Sequence, residues 1–242
     1  MEVHAHTHTE RKKWTHYFWE FLMLFLAVFC GFLAENQREH LVEHKWEKQY
    51  INSLTQDLRS DTNQVDSFST MFTSKLAELE IVIKELNERP SLHCLRHLFE
   101  GVGFPDFIYT DRTIQQLKNS GSLRLIRNQA VADSIVDYDL HIRADVMHKE
   151  LTNSQSMPKL MDKLNYIVDG VEWFKMFTPD NRDSTTVKNA VLLVKDKMEL
   201  IRLRNEYITY KFYIQYQWES LQAIKEKANR LLVFIKKEYH LE

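Results

Sequence analysis

The chain has 242 residues, 44% of them hydrophobic, which supports one soluble core and a membrane anchor but not two large domains. Its 5 Gly and 4 Pro are too few for the closely spaced turns of a sandwich, a barrel or a doubly wound sheet, so the composition points to an all-α fold of long helices. With 32 basic against 34 acidic residues the net charge is -2, which lacks the basic excess that non-specific nucleic-acid binding draws on.

Residues 1–13 read as a basic, histidine-containing tail in which His4, His6 and His8 alternate; such a solvated tail collects divalent metal only loosely. Residues 14–34 read as a transmembrane helix. Between Tyr17 and Ala34, a span of 18 residues, Glu20 is the one charged group, and that length is short but adequate to cross a bilayer. Trp14, Tyr17 and Trp19 suit the interface, and Arg11, Lys12 and Lys13 before them assign the tail to the cytoplasm, although Arg38, Lys45 and Lys48 on the far side equal that count. A cleaved signal peptide needs a small residue where Phe32 stands, and a lipoprotein at Cys30 is opposed by the bulk of Phe29, so an uncleaved anchor is the better reading. At the helical 100° per residue, Glu20, Leu24, Ala27, Gly31 and Ala34 fall on one stripe, where small residues let a second helix approach. Glu20 either reaches up to the headgroups, pairs with a partner helix or carries ions.

Residues 35–242 form the soluble domain in this reading. A long helix over about 35–88 continues the anchor without Gly or Pro and extends roughly 80 Å at 1.5 Å per residue. Ile51, Leu54, Leu58, Val65, Phe68, Phe72, Leu79, Val82 and Leu86 alternate by three and four, a coiled-coil-like seam interrupted by Asp61 and Lys75; Ser60-Asp61-Thr62 is a possible helix break. A loop-rich middle over about 89–122 holds Pro90, Gly101, Gly103 and Pro105, then a short helix that begins at Thr110 or Asp111 and ends at Gly121. Helices follow over about 128–177, one from Asn128 to Leu151 and another that Ser156-Met157-Pro158 opens toward Phe177. The last helix is expected over about 185–239, packed along the first through Val187, Val191, Val194, Met198, Ile201, Asn205, Ile208 and Phe212, then Leu221, Ile224, Ala228, Leu231 and Ile235. Asn205 is the polar member of that row and a candidate register device.

Several groups carry possible chemistry. The aromatic band Tyr207, Tyr210, Tyr213, Tyr216 and Trp218, with Phe212, is either core or a ligand surface. The turn formed by Lys118, Ser120, Gly121, Arg124 and Arg127 either holds an anion or is a glycine helix stop with Leu123, Leu125 and Ile126 plugging the bundle. His93, Cys94 and His97 are a weak metal cluster that lacks a full ligand set, and His40 and His44 share a helix face. Cys30 and Cys94 imply no disulfide framework. Gly101-Val102-Gly103 runs into Phe-Pro rather than a phosphate-cradling loop, and no zinc-protease or serine-hydrolase motif occurs, so neither an enzyme nor a cofactor is indicated.

The segment KKWTHYFWEFLMLFLAVFCGFLAENQREH (Lys12 to His40), continued by EKQYINSLTQDLRSDT, resembles the start of an uncharacterised Bacteroidota family of single-pass membrane proteins, a domain of unknown function. TIQQLKNSGSLRLIRN (Thr113 to Asn128) and LLVFIKKEYHLE (Leu231 to Glu242) resemble its other segments. The resemblance implies an inner-membrane helical protein and brings no activity with it; the orientation set by Arg11, Lys12 and Lys13 puts the C-terminal domain in the periplasm. The residues themselves point to a membrane-anchored structural or interaction protein, one that self-associates or scaffolds membrane partners in the cell envelope. An extracytoplasmic sensor or ligand-binding module acting through a membrane partner is the alternative.

Overall fold

The computed structural model describes residues 14–88, 95–171, 193–194 and 196–241. The chain is all-α: α1 spans Trp14–Glu88, α2 Leu95–Glu100, α3 Arg112–Asn119, a 3-10 turn Ser122–Leu125, α4 Gln129–His141, a π-helical turn Ile142–Val146, α5 Met147–Ile167 and α6 Lys197–Tyr239. No strand occurs among the described residues. The chain divides into two units, Met1–Gln49 and Tyr50–Glu242.

The first unit is described from Trp14 onward and contains the apolar part of α1. Among the described residues α1 is the one helix long and apolar enough to cross a membrane, and none of its apolar window is buried within the protein. Phe21, Met23, Val28 and Phe32 are each about two-thirds exposed. A contiguous apolar surface of this kind suits hydrocarbon and is costly in water.

In the second unit α1 pairs antiparallel with α6, and three polar contacts fix the register. Arg204 donates to Asn87, Lys211 to Glu80 and Lys225 to Asp66. Seven residues along α1 (87 − 80) match seven along α6 (211 − 204), and fourteen (80 − 66) match fourteen (225 − 211). Steps of seven return a helix to nearly the same face, so one seam is kept throughout. All nine apolar residues of the α1 row are buried. They face an α6 row made of Leu200, Leu203, Tyr207, Tyr210, Ile214, Gln217, Leu221, Ile224, Ala228, Leu231 and Ile235.

The run α4–α5 also lies antiparallel to α6, tied by Lys227 to Asp137, Gln217 to Glu150 and Lys163 to Glu199. Between α1 and α4 the chain travels back along α1, with Val102 beside Lys75, Ile108 beside Gln64 and Thr113 beside Asp57. Four passes of alternating direction therefore enclose the core. Two apolar clusters meet at Phe104 and Trp218, where the Trp218 ring stacks on Phe72 at 4.5 Å.

Four features depart from the sequence reading. First, α1 runs unbroken through Ser60–Thr62, because Asp61 turns into the bundle rather than capping a helix. Second, Pro158 does not open a helix but lies inside α5. The carbonyl left without a donor belongs to Ser154, which is exposed to water, while Asn153, Leu160, Leu164 and Ile167 keep one buried row on the other face. That helix ends at Ile167 rather than near Phe177, because Val168 adopts extended backbone. Third, the last helix begins at Lys197, not near Thr185: the Asp196 carboxylate accepts from the Met198 and Glu199 amides and caps it. Val187 and Val191 lie outside the described residues.

Fourth, the expected α6 seam from Met198 to Phe212 mostly faces outward, although Val194 before it packs against the core and Ile201 is half-buried. Met198, Ile208 and Phe212 are 58%, 47% and 59% exposed, and Asn205 is exposed too. Gln217 takes the buried polar place in the row instead, accepting from Asn153 Nδ2 at 2.7 Å. The rows differ because Leu221 through Ile235 extend backward by alternating threes and fours to Leu200, not to Met198.

Candidate functional site

Residues 98–113 form a strap with little regular structure between the end of α2 and the start of α3, and its amides need partners from elsewhere. Side chains from three helices supply them. Gly103 N donates to the Tyr210 hydroxyl at 2.8 Å, Phe107 N to Glu150 Oε1 at 2.6 Å, and Ile108 N to Gln64 Oε1 at 2.8 Å. Thr110 N donates to Asp61 Oδ1 at 2.9 Å and Thr113 N to Asp57 Oδ2 at 3.1 Å. In the other direction, Lys75 Nζ donates to the carbonyls of Glu100 and Val102, and the Tyr207 hydroxyl to that of Leu98. Both polar exceptions in the α1 seam, Asp61 and Lys75, are thus places where the strap is tied. Gly101 permits the close approach: a Cβ there would stand 2.9 Å from Leu79. Gly103, at φ 82, supplies the left-handed turn that follows.

The carboxylates under the strap sit in two electrostatic settings. Burial holds the Asp61 carboxyl above the ordinary carboxylate range, aided by the charge of Asp57, although Tyr138 at 2.7 Å and Thr110 donate to it. Burial likewise raises Glu150, which accepts from Phe107 N and Gln217 Nε2 with Asp106 nearby. Asp139 differs. Burial alone would raise it, but Lys118 at 2.7 Å, Tyr109 at 3.0 Å and Arg143 at 3.0 Å together hold it below the ordinary range. Lys75 is pushed down by burial. Asp61, Glu150 and Lys75 each bond the backbone of the strap, and Asp139 accepts from the strap's Tyr109.

The residues singled out from sequence fall in different places. Glu20, Leu24, Ala27, Gly31 and Ala34 are all exposed along α1, and a Cβ added at Gly31 would touch nothing within 4 Å. The aromatic band divides between faces: Tyr207 and Tyr210 are fully buried strap anchors, Trp218 is half-buried against Phe72, and Tyr213 is half-buried. Tyr216 is 46% exposed, stacked on Phe212, with Lys149 Nζ 3.8 Å above its ring. At the candidate anion turn, Lys118 pairs with Asp139, and Ser120 Oγ bonds the Gln116 carbonyl and Ser122. Gly121 ends α3 in the left-handed region, Arg124 and Arg127 are exposed, and Leu123 and Ile126 pack into the bundle. His4, His6, His8, His93 and Cys94 lie outside the described residues. His44 and His97 each contact a carboxylate, Glu47 at 3.2 Å and Glu78 at 2.5 Å, and Cys30 is an exposed thiol.

The sequence reading passed over Asp57, Gln64, Glu150 and Asp139, because their partners lie on other passes of the bundle. Comparison with protein-family models, with curated proteins and with solved structures finds no match.

Proposed function

We propose that this protein is a membrane-anchored helical interaction protein, self-associating through its anchor and presenting its bundle to cell-envelope partners. In this reading the anchor lies in an inner membrane, the tail is cytoplasmic, and the bundle, with coiled-coil-like packing, is periplasmic. The basic run Arg11–Lys13 before the apolar stretch, with Trp14, Tyr17 and Trp19 at its edge, supports that placement.

The observation that carries the reading is the anchor itself: its apolar window has no cover within the protein, and Gly31 sits in a stripe of small residues open to a second helix. The outward row Met198, Ile208 and Phe212 adds a second uncovered apolar face on α6. Of the cations that flank that row, Arg202 is paired with Glu199 and Lys211 with Glu80, while Lys197 and Arg204 would meet their own copies if the row paired with itself. Self-association is therefore assigned to the anchor, and the row to a helix with acidic flanks. No step of the proposal is catalytic.

The test is the mass of the full chain reconstituted in lipid nanodiscs, beside that of Gly31→Leu. A dimer or larger assembly that dissociates in Gly31→Leu is expected; a monomer for the unmodified chain refutes self-association through the anchor.

One observation favours a second reading, the ligand-binding module. A cleft of about 320 Å³ between α5 and α6 is lined by Thr152, Gln155, Lys159, Glu206, Tyr210 and Tyr213. A ligand there would touch Tyr210, which holds the strap at Gly103. Crosslinking of a photoreactive analogue into this cleft would support that reading over scaffolding.

A further inference from the structure

At the head of the strap, α2 is fastened to α1 by a group that neither helix explains alone. Glu78 comes from α1, and His97 and Glu100 come from α2 with the i, i+3 spacing that places them on one face. One donor atom from each lies within 4.8 Å of the other two. His97 Nδ1 is 2.5 Å from Glu78 Oε2 and 3.8 Å from Glu100 Oε2. The backbone beneath is held independently of these side chains: Lys75 Nζ bonds the carbonyls of Glu100 and Val102, the Tyr207 hydroxyl bonds that of Leu98, and Gly101 is seated against Leu79.

We propose that Glu78, His97 and Glu100 bind a divalent zinc ion that clamps the head of the strap. Zinc ligands at about 2.0–2.2 Å stand roughly 3.2–3.6 Å apart around a tetrahedron, so Glu78 swings slightly out and Glu100 slightly in, both by side-chain rotation. One imidazole nitrogen and two carboxylate oxygens are all donor types that zinc takes, and they supply three of its four positions, with water for the remaining one. The side chains are 29%, 23% and 38% exposed for His97, Glu78 and Glu100, which leaves that position open to solvent. Imidazole disfavours calcium and magnesium, which take oxygen ligands. Two carboxylates balance the ion's charge. The ammonium of Lys75, one turn away on α1, is turned to the backbone carbonyls of Glu100 and Val102.

The competing account is a plain imidazolium–carboxylate pair between His97 and Glu78, and it predicts indifference to zinc. The experiment uses the full chain in detergent, stripped with chelator, with His4, His6 and His8 replaced by alanine so that the tail contributes nothing. Zinc titration by calorimetry, with metal content by atomic emission, is expected to show about one ion per chain, together with a rise in thermal midpoint. His97→Ala and Glu78→Gln should each weaken binding by roughly ten-fold or more while far-UV circular dichroism stays unchanged. His93 and Cys94 are left in place, so zinc retained at full strength in His97→Ala would assign the metal to other residues and overturn the proposal. Failure of the folded parent to bind zinc would overturn it as well. Neither result bears on the oligomeric state.

Discussion

Replacing Asp61 tests whether the strap is held by hydrogen bonds or by charge. The carboxylate is 2% exposed and accepts from the Tyr138 hydroxyl at 2.7 Å and from Thr110 N at 2.9 Å. Asp61→Ala removes both acceptors and leaves a buried hydroxyl and a backbone amide unpaired. Two hydrogen bonds to a charged group are together worth roughly 3–6 kcal/mol, and relief of the buried charge offsets part of this, so a net loss of about 2–4 kcal/mol is expected. Asp61→Asn keeps an acceptor for Thr110 and offers an N–H to the Tyr138 oxygen without the charge, so its cost at pH 7 should stay within about 1 kcal/mol. The pH dependence has a definite sign. Because burial raises the folded-state affinity of Asp61 for a proton, the native state takes one up before the unfolded chain does, and the wild type gains stability as pH falls from neutral toward the ordinary carboxylate range. Asparagine cannot gain in this way, so the wild type should improve relative to Asp61→Asn as pH falls from 7 to about 4, the ordinary carboxylate range. Denaturant unfolding of the full chain in detergent, followed by circular dichroism at both pH values, measures these differences. A loss in Asp61→Asn as large as that in Asp61→Ala, or a difference from wild type that ignores pH, would refute the reasoning.

Two further substitutions examine the bundle. Leu203, fully buried in α6, should cost about 2–5 kcal/mol as Leu203→Ala, whereas Phe212→Ala, on the outward row, should change stability by no more than about 0.5 kcal/mol; paired unfolding curves decide which face of α6 is the inner one. Pro158→Ala restores a backbone donor to the exposed carbonyl of Ser154 inside α5, and after the unfolded chain's gain in freedom it should raise stability by about 1–2 kcal/mol, read as a higher midpoint in the same assay.

The sequence alone carried the class of fold and the inner face of α1, because a long row free of Gly and Pro leaves few alternatives. It was less decisive where a helix offers two apolar rows. On α6 the apolar residues Met198, Ile201, Ile208 and Phe212 compete with Leu200, Leu203, Tyr207, Tyr210 and Ile214, and the tyrosines, which carry a hydroxyl, look less like core than the wholly apolar residues do. A helix without a stutter keeps one phase. Continuing the Leu221–Ile235 row backward gives Gln217, Ile214 and Tyr210, and so selects the inner face despite its polar member. The start of the same helix was also written locally, since Asp196 is a favoured N-cap residue and its carboxylate accepts from the Met198 and Glu199 amides.

The strap was hidden for a different reason. An irregular segment has no period of its own, and the acceptors for its amides lie 43 to 107 residues away in the chain. What the sequence did show was the other half of those contacts, namely an aspartate and a lysine in a row otherwise filled by apolar residues. A polar group in a buried row is tolerated only when it is satisfied, and α1 needs no help with its own backbone. Asp61 and Lys75 therefore had to serve a segment that lacked partners, and the nearest such segment without helical periodicity is the one rich in Gly and Pro around Gly101–Pro105. The same logic reaches Gln217, the polar member of the α6 row: it meets Asn153 and Glu150, and Glu150 in turn holds the Phe107 amide. Asp61 and Lys75 in α1 and Gln217 in α6 are thus points at which the bundle grips the strap, directly or through one intervening side chain.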